Sequence, residues 1–293
     1  MQGNSSGKIP VQSFFDPTTF TYSYVVQDPG SLNCAVIDSV LDYDAASGVT
    51  STRSADAIIA FVQDKSLKLE WVLDTHIHAD HLSAAQYLKD QLGGQTAIGE
   101  DVGAVQSAFA KIFNLEADFK TNGAQFDRLF SNGSSFKIGN IGGSVMHTPG
   151  HTPACLTYLF DGFAFVGDTL FMPDYGTART DFPGGDAATL YSSIQKILTL
   201  PADTVLYMCH DYGTDIRKEF TNKTTVTEQR TQNIHIHEGV SAVDFVTFRE
   251  SRDADLRPPA LLYPAVQFNM RAGMFPNAES NGTRYFKIPV REQ

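Results

Sequence analysis

The chain has 293 residues and a formal net charge of −11, because 22 lysines and arginines face 33 aspartates and glutamates. Hydrophobic residues make up 42% and charged residues 19%, which is typical of a folded globular protein and excludes a disordered one. The acidic balance and the lack of any basic run argue against nucleic acid as a partner.

The cysteines and the hydropathy indicate the setting in which the protein works. Cys34, Cys155 and Cys209 are too few for a disulfide framework, and they fit a reducing compartment. Residues 1–8 lack the apolar core of a signal peptide, and no apolar run reaches the ~18 residues that a membrane span needs. We therefore expect a cytoplasmic protein with no membrane partner.

The first half of the chain predicts strands followed by helices. Strands are predicted where short runs are apolar or alternate apolar with polar residues, at 20–26, 33–40 and 69–73. Helices are predicted where apolar residues share a face, first through Leu82, Ala85, Leu88 and Leu92 up to Gly93-Gly94, and then over 102–113.

The second half predicts more strands and one strong helix. Glycine-rich residues 129–146 predict a β-meander, and 156–171 predict two strands joined at Asp161-Gly162. The other predicted elements are a helix over 186–200 before Pro201, a strand over 205–208, a helix over 226–233 and a strand over 285–290. This order favours an α/β protein built in layers, with a single domain over 1–293 and a C-terminal extension from residue 214.

The clearest candidate site is a cluster of three histidines and one aspartate within six residues. His76, His78, Asp80 and His81 follow a predicted strand and precede a predicted helix. Residues two apart at a strand end point the same way, so His76 and His78 can face one ion. Neutral imidazoles and a carboxylate suit zinc, iron or manganese and exclude an all-thiolate site.

Three more candidate donors lie downstream, each after a strand-like stretch: His151, Asp168 and His210. Sites assembled at one sheet edge are built in this way. We expect the remaining histidines, His147, His235 and His237, to take no part. A Cys209–His210 nucleophile is disfavoured, because neighbouring residues on a strand point to opposite faces.

The run His76-Ile77-His78-Ala79-Asp80-His81, with His151, Asp168 and His210, resembles the metallo-β-lactamase superfamily. This resemblance covers residues 14 to about 212, which gives a catalytic core at about 14–213 and a C-terminal extension at 214–293. It implies an αββα sandwich of two mixed sheets flanked by helices, with metal at the sheet edges. The fold by itself does not define the reaction.

Further motifs resemble the persulfide dioxygenases, which are related to glyoxalase II. They are Arg179-Thr180-Asp181-Phe182, Cys209-His210-Asp211-Tyr212, the stretch from Glu228 to Asn233 and the stretch from Asn269 to Gly273. This resemblance implies one Fe(II) per chain and oxidation of glutathione persulfide by O2 and water to glutathione and sulfite, in sulfide detoxification. The human-type enzyme has a cysteine where this chain has Thr177.

The resemblance also assigns roles to the candidate residues. The iron would be held by His76, His151 and Asp168, while His78, Asp80, His81 and His210 would orient ligands and water. Arg179 and Arg230 would bind the carboxylates of glutathione, and Tyr212 would add a hydroxyl donor. Members of this family are often homodimers.

Two other functions remain open from the sequence. The same seven residues suit two zinc ions bridged by Asp168, as in a glutathione thioester hydrolase of glyoxalase II type. A sensor that binds a thiol or persulfide without turning it over is the alternative outside enzymes.

Overall fold

The computed structural model describes residues 8–290. Except for Lys8, the N-terminal stretch in which we expect no signal peptide lies outside the described residues. The strands are β1 (Val11–Asp16), β2 (Thr21–Gln27), β3 (Asn33–Ile37), β4 (Val40–Asp44), β5 (Val49–Ser51), β6 (Lys68–Leu73), β7 (Leu82–Ser83), β8 (Gln95–Gly99), β9 (Arg128–Phe130), β10 (Ser135–Ile138), β11 (Ile141–His147), β12 (Leu156–Phe160), β13 (Phe163–Phe165), β14 (Val205–Tyr207) and β15 (Lys223–Thr225).

The helices are α1 (Arg53–Asp64), α2 (Ala85–Leu92), α3 (Val102–Phe113), α4 (Ala187–Leu198), α5 (Val226–Gln232), α6 (Ala242–Ala254) and α7 (Leu262–Asn269). Side chains cap the starts of α4, α5 and α6: Asp186 accepts the backbone N–H of Thr189, Thr225 forms a capping box with Glu228, and Ser241 accepts the backbone N–H of Asp244. Within residues 8–290 no helix has both the length and the apolar character needed to cross a bilayer.

Two six-stranded sheets form the centre of the fold. The first has the order β1-β2-β3-β6-β8-β9, antiparallel at β1–β3 and parallel from β3 to β9. The second has the order β10-β11-β12-β13-β14-β15 and is antiparallel except between β13 and β14. Both sheets are therefore mixed, as the sequence predicts.

The apolar residues form three layers of packing. Tyr24 and Ile37 of the first sheet pack against Tyr158 and Phe165 of the second, which makes a core between the sheets. The outer face of the first sheet packs against α1, α2 and α7, and that of the second packs against α4 and α6. This is the αββα sandwich with helices on both outer faces that the resemblance to the metallo-β-lactamase superfamily implies.

Several predicted elements are wrong in detail. Leu82 is not helical but pairs with Leu41 in the short strand β7, so α2 begins three residues later. The 129–146 region is not one meander, because β9 pairs with β8 in the first sheet while β10 and β11 belong to the second. The chain therefore crosses between sheets after Phe130, which no local pattern records.

The predicted strand over 285–290 is absent from the described structure. Instead, Lys287 N donates to Gln267 Oε1 at 2.9 Å, and Gln267 Nε2 donates to Lys287 O at 2.9 Å. A side chain of α7 thus satisfies the backbone groups that a neighbouring strand would otherwise bond. The sequence analysis also missed α1, α6 and α7, the last of which contains Pro264 in its first turn, where proline is tolerated.

Candidate metal centre

All the predicted donors lie just beyond strand ends at one edge of the sandwich. His76, His78, Asp80 and His81 follow β6 on a segment that we call the donor loop (residues 76–81). His151 follows β11, Asp168 lies in a 3-10 turn after β13, and His210 follows β14. Both sheets therefore supply donors to the same place.

The structure brings these residues together as two adjoining donor groups. We call His76, His151 and Asp168 the first donor group, and His78, Asp80, His81 and His210 the second. Within each group the ligand atoms lie within 4.8 Å of one another. Every member is buried except Asp80, which is partly buried.

Asp168 lies between the two groups. Its Oδ2 atom is 3.7 Å from His76 Nε2 and 3.8 Å from His151 Nε2, on the side of the first group. Its Oδ1 atom is 3.4 Å from His210 Nε2, on the side of the second. His210 Nε2 in turn lies 3.3 Å from Asp80 Oδ2. One carboxylate can thus serve either a single ion or a pair.

The unpaired polar atoms of the described residues concentrate at this centre. Six buried side-chain nitrogens or oxygens between residues 8 and 290 lack a hydrogen-bond partner, and all but Ser39 Oγ belong to the donor groups: His76 Nε2, His78 Nδ1, His81 Nε2, His210 Nε2 and Asp168 Oδ1. Leaving such atoms unpaired costs about 1–3 kcal/mol each unless an ion binds them. The donor set therefore fits a metal ion such as iron or zinc.

The opposite ring nitrogen of each histidine has a partner that orients it. Thr75 Oγ1 is 3.0 Å from His76 Nδ1, and Asp38 Oδ1 is 3.1 Å from His78 Nε2. The carbonyl oxygen of Arg179 lies 2.8 Å from His151 Nδ1. Such partners hold the tautomer and the ring plane of a metal-binding imidazole.

The electrostatics of the centre favour metal-binding forms. Burial lowers the pKa of His76 and of His78 well below the usual value, which keeps both imidazoles neutral. Burial opposes the charged forms of Asp80 and His210, but their mutual attraction outweighs it. The pKa of Asp80 is held well below its usual range and that of His210 is raised.

Two residues to which the sequence analysis gave no role pin the donor loop. Asn269 at the end of α7 donates from Nδ2 to the carbonyl oxygens of His78 and His81, both at 2.8 Å, and its Oδ1 accepts the backbone N–H of Ser83 at 2.7 Å. Asp38, which follows β3 with a φ of 51°, accepts from Thr75 N at 2.7 Å. Its position at the end of an apolar strand was a usable signal, whereas Asn269 opens the 269–273 stretch that resembles the persulfide dioxygenases, a resemblance that gave it no role.

A cavity of about 1060 Å³ opens beside the centre. Asp80, His81, His151 and Asp168 form part of its wall. The β1–β2 turn, the β4–β5 hairpin, residues 171–182 and α6 also contribute to it. Such a volume is large enough for a small-molecule ligand.

The three predicted substrate-binding residues have different positions. Tyr212 lines the cavity, with its hydroxyl 3.4 Å from Asp80 Oδ2 and its ring stacked on His210. Arg179 also lines it, but Asp181 binds its guanidinium through two bonds of 2.6 Å. Arg230 is not among the lining residues, because it lies on α5 and donates to the carbonyl oxygen of Leu198.

The remaining histidines lie outside both donor groups. His147 Nε2 lies near Pro153 O and Asp101, His237 is exposed, and His235 Nδ1 accepts the backbone N–H of Thr177 at 3.0 Å. The expectation that Cys209 points away from His210 is wrong, since its sulfur lies within 4.8 Å of donor atoms of Asp168 and His210. Burial raises the pKa of this thiol well above its usual value, which disfavours the thiolate that a nucleophile would need.

Residues 16–210 match the family model for the metallo-beta-lactamase superfamily, which is the segment that carries every donor of both groups. The chain belongs to this superfamily. A probable metallo-hydrolase of Burkholderia pseudomallei is 54% identical over 96% of this chain and 98% of its own length.

More distant relatives carry more specific names. Glyoxylase B2 of Dictyostelium discoideum is 47% identical, with 97% of this chain and 98% of that protein covered. Human persulfide dioxygenase ETHE1 is 32% identical over 93% of this chain and 92% of its own length. Among solved structures, ETHE1 from Myxococcus xanthus superposes with a TM-score of 0.73 at 26% identity, covering 91% of this chain and all of that one.

Proposed function

We propose that this superfamily member is a non-haem iron persulfide dioxygenase that acts on glutathione persulfide. One persulfide, one O2 and one water give one thiol and one sulfite, so the outer sulfur is oxidised and O2 is reduced. The first donor group carries the proposal: two imidazoles and one carboxylate converge with unpaired ligand atoms, a set that suits a single iron with open positions. The relationship to the persulfide dioxygenases supports it.

In this proposal His76, His151 and Asp168 hold the iron, which supplies the redox chemistry. His78, Asp80, His81 and His210 orient water and substrate through hydrogen bonds. Tyr212 donates its hydroxyl toward the cavity beside Asp80. The protein's contribution is therefore to place the persulfide and O2 side by side and to limit access by water.

The carboxylates of glutathione need cationic contacts, and three arginines besides the buried Arg249 line the cavity. Arg53 is one of them, but it pairs with Asp42 at 2.9 Å. Arg179 faces the cavity but shares its charge with Asp181. Arg252 of α6 also lines the cavity, and no carboxylate between residues 8 and 290 pairs with it. We therefore assign Arg252 in place of Arg230 as a carboxylate contact, with Arg179 beside it.

The test is O2 uptake by the Fe(II)-loaded protein on addition of glutathione persulfide under otherwise anaerobic handling, with a zinc-loaded sample as the matched control. Iron-dependent uptake with an equal amount of sulfite is the expected result. Uptake that is absent with iron, or equal with zinc, would overturn the proposal.

A second candidate is a di-zinc thioester hydrolase of glyoxalase II type. The second donor group favours it, because Asp168 Oδ1 and three imidazoles leave donors for another ion. The Dictyostelium relative's name supports the same reading. Hydrolysis of S-lactoylglutathione by the zinc-loaded form, without O2 consumption, would favour this function over the dioxygenase. A protein that binds glutathione persulfide but turns over neither substrate would instead be the sensor.

A further inference from the structure

Helix α6 contains a buried ion pair outside both donor groups. Arg249 Nη2 lies 2.6 Å from Asp253 Oδ1, and the two side chains are only 1% and 4% exposed. The cost of removing two charges from water nearly cancels their attraction, so such a pair contributes little net stability by itself. The role of this pair therefore lies in its hydrogen bonds with the rest of the chain.

Both members of the pair bind the backbone of one short segment, residues 177–180. Asp253 Oδ2 accepts from Thr180 N at 2.7 Å and from Thr180 Oγ1 at 3.1 Å. Arg249 Nη1 donates to the carbonyl oxygen of Thr177 at 3.1 Å. The two ends of the segment are thus tied to α6.

Between these two ends lies the carbonyl group of Arg179, whose oxygen is 2.8 Å from His151 Nδ1. Because a carbonyl oxygen only accepts, His151 carries its proton on Nδ1 and presents the lone pair of Nε2 to the centre. The space around this segment is tight, since a Cβ at Gly185 would lie 2.2 Å from Thr180 O and 3.1 Å from His151 O. Gly185 therefore packs closely against the backbone of Thr180 and His151, and a shift of the Arg179 carbonyl would lengthen its hydrogen bond to the imidazole.

We propose that Arg249 and Asp253 are positioning residues for His151 and act through the carbonyl oxygen of Arg179. They lie on a helix beyond residues 16–210, the segment that matches the superfamily model. The C-terminal region then contributes to metal affinity without supplying a ligand. This inference is independent of the proposed reaction, because His151 is a candidate ligand for either iron or zinc.

The test compares Asp253→Ala with Asp127→Ala. Asp127 makes the same set of contacts at a place that does not line the cavity: Lys89 Nζ at 2.6 Å, Thr96 N at 2.8 Å and Thr96 Oγ1 at 3.1 Å. Metal-free protein is titrated with Co(II), and the visible absorption of the bound cobalt is followed at each equivalent. Thermal unfolding of the metal-free protein is measured in parallel.

We expect Asp253→Ala to bind Co(II) about 10- to 100-fold more weakly, with an altered absorption spectrum. Asp127→Ala should unfold at a lower temperature but bind Co(II) like the wild type. Wild-type affinity in Asp253→Ala, or an equal loss in Asp127→Ala, would overturn the proposal.

If Asp253→Ala does not fold, Asp253→Asn provides the second variant. Its amide oxygen still accepts from Thr180, while the charged bond to Arg249 is lost. A smaller loss of Co(II) affinity with the same spectral change is expected. Unchanged affinity and spectrum in this variant would overturn the proposal as well.

Discussion

The two sources of metal donors in this protein are built in different ways. The donor loop brings four donors within six residues, and its backbone is pinned by Asn269 of α7. His151, Asp168 and His210 come from three separate strand ends, and they meet only because β11, β13 and β14 lie in one sheet. The geometry of the donor loop is therefore set locally and stabilised by the tertiary structure. The dispersed donors, in contrast, come close together only because the second sheet brings their strand ends side by side.

Asp168 joins the two sources of donors, because its carboxylate faces both donor groups. We expect Asp168→Ala to lose stoichiometric metal and to lower kcat by about 10³- to 10⁴-fold, as removal of an essential group does. Metal analysis and O2 uptake measure the two effects. Asp161→Ala, on the exposed turn after β12, is the control and should match the wild type. Retained metal with wild-type turnover would remove Asp168 from the centre.

Asn269→Ala tests the pinning of the donor loop. The change leaves two carbonyl oxygens and one backbone N–H without their partner, so we expect the free energy of unfolding to fall by about 3 kcal/mol. Metal affinity should fall about 10- to 100-fold. Denaturant unfolding and Co(II) titration measure these effects.

The control is Asn281→Ala, since Asn281 Nδ2 makes an exposed bond to Tyr285 at 2.7 Å. If both asparagine variants were equally stable and bound metal equally well, Asn269 would have no part in holding the loop.

His235 accepts a hydrogen bond from the backbone N–H of Thr177, on the side of the centre formed by the dispersed donors. Its protonation gives a pH test of how much this contact stabilises the fold. Burial lowers the pKa of His235 to about 4, and the positive charges of Arg249 and Arg252 act in the same direction. The negative charge of Asp253 acts in the opposite direction. The unfolded chain takes up this proton near pH 6.5 and the folded protein only near pH 4, so folding is penalised increasingly as pH falls between these values. Above pH 6.5 the residue has no such effect.

With allowance for partial exposure of the ring, the penalty is about 2 kcal/mol. His235→Gln, which keeps an acceptor for Thr177 N, should therefore lose less stability than the wild type between pH 6.5 and 4 in denaturant unfolding of metal-free protein. His237→Gln, at an exposed position, should follow the wild type. If the free energy of unfolding fell equally with pH in all three proteins, His235 would not be the residue responsible.

Arg252→Gln is expected to have the smallest effect, on substrate binding alone. Loss of one charged contact should raise the KM for glutathione persulfide about tenfold and leave kcat nearly unchanged. Arg230→Gln is the matched control and should stay within about twofold of the wild type, as surface changes do. Steady-state O2 uptake distinguishes them, and the reverse pattern would return Arg230 to the substrate site.

The sequence determined much of this protein where the information is local. Apolar periodicity predicted α3 and α4, with Pro201 marking the end of α4, and strand-end motifs identified all seven donors as candidates. The donor loop can be recognised in the sequence because donors that share one ion must be closely spaced along the chain. The αββα sandwich followed from the resemblance that these motifs carry.

Tertiary structure alone decided the contacts that hold the donors in place. Asn269 is 191 residues from His78 along the chain, and Asp253 is 73 residues from Thr180. A single asparagine or aspartate satisfies a distant backbone group without imposing any spacing on its neighbours. The 269–273 motif therefore carried the family resemblance but did not predict this contact of Asn269, and no motif included Asp253. The same reason explains β9, whose partner strand is chosen by the packing of the sheets, and residues 285–290, whose backbone is satisfied by the side chain of Gln267 rather than by a strand.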